Sequence, residues 1–239
     1  LTHQDLILRT NSNSSPLCAG SFNVIIGRDL IIESTYNQNQ TFAPTSGAFT
    51  GALTVKGNFV HSAPRTFTIA NNSNAGSTMA FNVEGDMTIN PATTGTLNIN
   101  GNVNTVTTVN LSGDLSVTSA GLLSAASGTV SANKFNFVGN GVAVPANIQT
   151  INVASVGAAT TENYRIAFDV NAGASVVLAT NDLQLGTSST FNVASGAVLD
   201  FGFDGSTALN VTNVASATGT SFTLTGGGTL KITSPGGIM

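Results

Sequence analysis

The chain has 239 residues and a net charge of −4, and charged side chains make up only 8% of it, against about a quarter in ordinary globular domains. Its seven basic residues (Arg9, Arg28, Lys56, Arg65, Lys134, Arg165 and Lys231) are scattered, so there is no basic patch and nucleic acid is excluded as an expected partner. Apolar runs are a few residues long, which excludes a membrane span, and 41% hydrophobic residues with little charge exclude disorder.

The composition favours strands and turns: 26 glycines, many Asn, Ser and Thr, and no Trp. A short box recurs along the chain, an apolar–polar–apolar triplet followed in most copies by glycine. It begins at Phe22, Leu53, Phe81, Val109, Phe135, Phe191 and Phe222, with a degenerate copy at Tyr164-Arg165-Ile166 that lacks the glycine but is followed by Asp169. The copies recur about every 28 residues, a period typical of solenoid repeats.

After the glycine corner a second short strand is expected, as in Asp29 to Ile32, Asn58 to Val60, Asp86 to Ile89, Asp114 to Val117, Val142 to Val144 and Val198 to Phe201. A third strand follows at Thr66 to Ile69, Thr96 to Ile99, Ile148 to Ile151, Ser175 to Leu178 and Ala208 to Val211. Apolar residues recur at every second position in most of these strands, and no window carries a helical period.

A 28-residue unit with three short strands cannot bury its apolar face alone, but stacked copies can. The sequence therefore predicts an all-β fold, a right-handed parallel β-helix. It is expected to have about eight coils of roughly 28 residues with three short strands each, a rod on the order of 40 Å long. Residues 1–239 are expected to form a single β-solenoid domain, a segment of a longer chain. Further coils, a cap or an assembly partner are expected to cover each end, because a naked sheet edge invites aggregation.

Each box position becomes a ladder in this arrangement. Phe22, Leu53, Phe81, Val109, Phe135, Tyr164, Phe191 and Phe222 form one inward column, and Val24, Val55, Val83, Leu111, Phe137, Ile166, Val193 and Leu224 the next. Between them Asn82, Asn110 and Asn136 point outward, spaced for amide-to-amide hydrogen bonds. The box glycine is expected to adopt an unusual backbone angle.

Chemistry-bearing residues are sparse. Asp29, Asp86 and Asp114 share the corner position, where a carboxylate accepts nearby backbone N–H groups. Glu84 and Asp86 flank Gly85 and are weighed as an acid pair for glycoside hydrolysis; the bland structural role is preferred. Asp200 and Asp204, with Gly202 and Gly205, form the one string with calcium-like chemistry, and Ca²⁺ is the single cofactor considered. His3 and His61 lack metal-ligand neighbours. Cys18 is read as a buried or loop thiol. Gly226-Gly227-Gly228 is read as a bulged corner. The Thr-x-Thr strings at 66–68, 105–107 and 223–225 do not recur at one place in consecutive coils, so an ice-binding array is not expected. No catalytic residue is assigned and the chain is not expected to be an enzyme.

The phrases Gly-Asp-Met-Thr-Ile-Asn (85–90), Gly-Thr-Leu-Asn-Ile-Asn-Gly-Asn-Val (95–103) and Gly-Asp-Leu-Ser-Val-Thr (113–118) resemble the repeats of Bacteroidota-type secreted surface proteins, the β-solenoid adhesins and filaments exported by the type IX system. The resemblance covers nearly the whole chain. It implies a structural or adhesive segment of an extracellular bacterial surface protein or filament, with sister copies, adjacent repeats or surface glycans as partners. The alternative is a carbohydrate-binding or polysaccharide-degrading parallel β-helix.

Overall fold

A computed structural model describes residues 2–9, 17–33, 35, 38–102, 104–118, 120–125, 133–141, 148–153, 166–179, 183–185, 189–202, 211–213 and 221–233. Among these there is no helix, and every strand pairing is parallel. The chain is a β-solenoid. Described strands alternate between the first and second sheets, with a third-face strand following in six of the coils, so each sheet is built from strands one coil apart.

The first and second sheets are each nine strands deep. The third face has four strands in one sheet and two in another. About six turns therefore carry a described strand on all three faces, so the count differs slightly from the expected eight. The predicted strand at Val142 to Val144 lies outside the described residues.

The core ladders follow the predicted register through the middle of the rod. Phe81, Val109 and Phe135 are consecutive Cα partners, as are Val83, Leu111 and Phe137 and, between them, Asn82, Asn110 and Asn136. All six apolar members are buried. Each such side chain contributes about 1.5–3 kcal/mol by leaving water, and stacking places them face to face with no interruption. Phe135, Phe168 and Phe191 continue the column, with ring centroids 5.6 and 6.1 Å apart.

The ladder departs from expectation at two places. Phe22 does not sit over Leu53; Val24 does, and Ile26 sits over Val55. Phe22 instead pairs with Gly51. A Cβ on Gly51 would lie 2.5 Å from the Phe22 ring, so the missing side chain makes room for an aromatic that also packs on Phe42 and Phe49. The shift is consistent with the corner, where Asp29, two residues beyond Gly27, aligns with Asn58 and Asp86.

The second departure is the degenerate copy. Tyr164 and Arg165 lie outside the described residues, and the strand is Ala167–Val170. Phe168 and Val170 fill the two columns assigned to Tyr164 and Ile166, and Asp169 enters the Asn row. Two strands also change face: Ile148–Val153 and Ser175–Leu178 belong to the second sheet, not to the third face. Of the predicted strand at Ala208 to Val211, only Val211 is described. It opens the third-face strand Val211–Asn213 that pairs with Leu183–Leu185.

Candidate functional site

Two polar ladders run along the rod. In the first sheet Asn82 Nδ2 donates to Thr54 Oγ1 at 3.3 Å, Asn110 Nδ2 to Asn82 Oδ1 at 2.8 Å and Asn136 Nδ2 to Asn110 Oδ1 at 2.8 Å. Asn192 Nδ2 donates to Asp169 Oδ1 at 2.6 Å. An amide both donates and accepts, so each rung satisfies the next at the strand spacing of about 4.8 Å. These side chains are half-buried in their own stack.

The second ladder climbs the corner into the second sheet. Asp5 Oδ1 accepts the backbone N–H of Asp29 at 3.2 Å, Asp29 Oδ1 that of Asn58 at 2.6 Å, and Asn58 Oδ1 that of Asp86 at 2.9 Å. Asp86 Oδ1 accepts from Asp114 at 2.9 Å, and Asp114 Oδ1 from Thr150 at 2.7 Å. The corner acids thus bind backbone N–H groups as expected, and each reaches across to the neighbouring coil. Gly57, Gly85 and Gly113 make this possible by a different property from the one expected. None has a positive φ; a Cβ there would collide with Asp29, Asn58 and Asp86 of the preceding coil. They are needed for close approach. Gly139 and Gly196, at φ 73° and 75°, do use the left-handed region.

The remaining acids among the described residues are also engaged. Arg9 bonds Glu33 at 2.6 Å and holds that carboxyl below its ordinary range through the hydrogen bond. Lys56 bonds Glu84. The Glu84–Asp86 pair therefore splits, one acid to a lysine and one to the corner ladder. Asp200 is buried, with Oδ2 at 3.0 Å from Lys231 Nζ and Oδ1 accepting from Thr233 Oγ1 at 2.9 Å. Both oxygens of this calcium candidate are already held by donors, and Asp204 lies outside the described residues. Among the described residues no group of three metal-ligating side chains comes together. Glu162 and Asp182 also lie outside the described residues.

Comparison with family models, curated proteins and solved structures gives no match for this chain. Its own surface therefore carries the reading. The outer face of the first sheet holds a shallow depression of about 490 Å³. Its floor is the column Asn23, Ala52, Ala80 and Thr108, and Thr50, Thr78 and Val106 form one rim. Two alanines between taller neighbours create it. None of its lining residues is titratable, and most of its lining is apolar. The three Thr-x-Thr strings form no shared array: Thr66–Ala70 is on the third face, Thr105 and Thr107 are buried inside the first sheet, and the Ser221–Leu224 strand of that sheet is several coils away.

Three buried polar residues carry structure that periodicity does not mark. His61 stands in the column of Ile32 and Ile89, fully buried. Its Nε2 is 3.1 Å from the Arg65 carbonyl, so Nε2 carries the proton and Nδ1 remains a bare acceptor without a partner. Burial pushes its pKa down to about 4, against the raising effect of the Arg65 and Thr96 carbonyls. Gln149 points inward. Its Nε2 donates to the Leu111 and Gly113 carbonyls at 2.9 and 2.7 Å, and its Oε1 accepts from Gly139 N at 2.7 Å. Asn72 Nδ2 bonds the Pro44 and Gly47 carbonyls at 3.1 and 2.7 Å. The sequence signal for these is a polar side chain at a position the register makes internal. Cys18 is half-buried, and its thiol is pushed up by burial.

Proposed function

We propose that this chain is a structural and adhesive segment of an extracellular bacterial surface protein or filament, working through its faces and ends and not through a catalytic centre. The observation that carries this reading is the use of its polar groups. Along the described rod, acids, amides and ion pairs link one coil to the next, with Arg9–Glu33, Arg28–Asp5, Lys56–Glu84 and Lys231–Asp200 each joining neighbouring coils. Most of these pairs are exposed and screened by solvent, so they add little to stability, and their value lies in holding a stiff, even surface. Such a surface makes many weak contacts with sister copies, adjacent repeats or neutral glycans. The uncharged, mostly apolar depression over Ala52 and Ala80 supports contact with sister copies or adjacent repeats. The resemblance of its repeats to secreted Bacteroidota surface proteins supports a cell-surface location.

The test is direct. Native material is expected to appear as filaments or surface fibres by electron microscopy, and to show no turnover on a panel of acidic and neutral polysaccharides. A monodisperse species that cleaves one of these glycans would overturn the reading in favour of a polysaccharide-degrading β-helix.

A further inference from the structure

The sequence holds two Asn-Gly pairs, Asn100-Gly101 and Asn140-Gly141, and the fold treats them in opposite ways. In this dipeptide the glycine nitrogen can attack the carboxamide carbon of the asparagine before it, and glycine has no Cβ to hinder the approach. Asn100 is fully buried. Its Nδ2 donates to the Thr105 carbonyl at 2.6 Å and to Asn133 Oδ1 at 2.7 Å, and its Oδ1 accepts from Asn102 N at 2.9 Å. Gly101 N, the atom that would attack, donates to the Ala70 carbonyl at 2.8 Å. Nucleophile and leaving amide are both tied down, and the carboxamide is shut off from water. Asn140 stands at the other extreme. It is exposed, as is Gly141. Gly139 and Gly141 both lie in the left-handed region, at φ 73° and 77°, and neither neighbour brings a side chain over the carboxamide. A Cβ on Gly141 would meet no atom of the described residues within 4 Å. The backbone before Asn140 is anchored, because Gly139 N donates to Gln149 Oε1 at 2.7 Å. The pair thus sits at an open corner just past the strand Asn133–Phe137.

We propose that Asn140 is a site of spontaneous deamidation in the folded chain, while Asn100, in the same dipeptide, is protected by the fold. Gly141 N bonds to Asn140 Cγ and closes a five-membered succinimide. The Cγ–Nδ2 bond breaks, and Nδ2 leaves as ammonia with the proton that Gly141 N gives up. Water then opens the ring at either carbonyl. One product is aspartate; the other is isoaspartate, in which the main chain runs through the side-chain carbon. The balance is one water consumed and one ammonia released, with no oxidant or reductant. Either product adds one negative charge to a chain whose net charge is −4. In the repeat, Asn140 follows Gly139 as Asp86 follows Gly85 and Asp114 follows Gly113. The reaction therefore brings a carboxyl group to a place in the repeat where the two preceding coils already carry one. The isoaspartate product also lengthens the main chain beside the bond from Gly139 to Gln149, at the coil where the regular corner pattern is interrupted.

The experiment ages the full 239-residue chain in mildly alkaline buffer, folded in one series and unfolded in urea in another. Peptide mapping by mass spectrometry follows the amide-to-acid mass gain at each asparagine, and an isoaspartate-specific methyltransferase assay identifies the rearranged product. In the folded chain Asn140 is expected to convert at least about tenfold faster than Asn100, which reacts only through local opening. In urea the two pairs are expected to convert at similar rates, because the dipeptide is the same and the protection is gone. Asn140→Gln is expected to remove the folded-state conversion at this position, since the longer side chain closes a larger ring. Gly141→Ala is expected to slow it by placing a Cβ beside the attacking nitrogen. Circular dichroism checks that each variant is folded, and the reading at Asn100 in the same digests reports any loosening of the fold. No conversion at Asn140 in the folded chain overturns the proposal. Conversion of Asn100 at an equal rate in the folded chain overturns it too, because burial would then give no protection.

Discussion

The coils between Leu53 and Val117 and the coil that follows Phe137 solve one problem in two ways. At every corner the backbone turns from the first sheet into the second, and its N–H and C=O groups must find partners. In the regular coils a short carboxylate or amide on the outside, Asn58 or Asp86, reaches one rung along and accepts the next N–H. After Phe137 the chain takes a longer path before Ile148, and Asp114 still accepts from Thr150 across it. There a long side chain works from the inside: Gln149 holds Leu111 O, Gly113 O and Gly139 N at once. Repetition lets many weak, solvent-facing bonds share the load. At the interruption a buried residue, Gln149, joins the outer corner bond in carrying the load.

This contrast is open to graded tests. The largest effect is expected in the core that both regions share. Val83 is buried between the Val55 and Leu111 side chains, and Val83→Asp places an unpaired charge there, at a cost of about 3 kcal/mol or more in chemical denaturation. A melting temperature unchanged from the parent would break the assignment of inside and outside.

Next in size is a pH effect at His61, the buried titratable intruder in the apolar column of Ile32 and Ile89. An ordinary histidine titrates near pH 6.5, and in the folded chain its pKa is lowered to about 4. Above pH 6.5 both states are neutral and the residue adds no slope. As pH falls from about 6.5 to 4, the unfolded chain takes up a proton that the folded chain refuses, so stability is lost across that window. The loss approaches about 3 kcal/mol and levels off below it. His61→Leu is expected to remove this part of the slope, measured as denaturation midpoint against pH.

The comparison itself is sharpened by Gln149→Leu against Asp86→Ala. The first strands three backbone groups in the interior and is expected to cost about 2–3 kcal/mol. The second leaves one N–H beside solvent and is expected to cost about 1 kcal/mol or less. Equal midpoints for the two variants in urea would show that the interruption bears no extra load. The smallest effect is expected at Asn71→Ala, below about 0.5 kcal/mol, although its neighbour Asn72 is fully buried and bonded to two carbonyls.

Much of the fold was legible in the chain because a solenoid repeats its constraints. Alternation in Phe81-Asn82-Val83 assigns faces, and recurrence at a steady interval assigns neighbours, so Asn82 over Asn110 over Asn136 follows without any coordinates. The same logic misplaced Phe22, because the glycine was taken as the register mark when Asp29 is. It also placed the degenerate copy too early, at Tyr164, where Phe168 and Asp169 carry the pattern. The acids were legible as corner residues, but their partners one coil away were not, and neither was the fate of Asp200.

The sequence by itself determined the class of structure, since alternating apolar residues on a short period can be buried only by stacking parallel strands. It determined which side chains face inward through the central coils. Only the tertiary structure decided the register at the irregular coils, the face to which Ile148–Val153 and Ser175–Leu178 belong, and the roles of Gln149 and His61. The physical reason is that a side chain's partner in a solenoid is set by the path length of the whole coil between them. A loop of altered length shifts that partner while leaving the local pattern of residues unchanged.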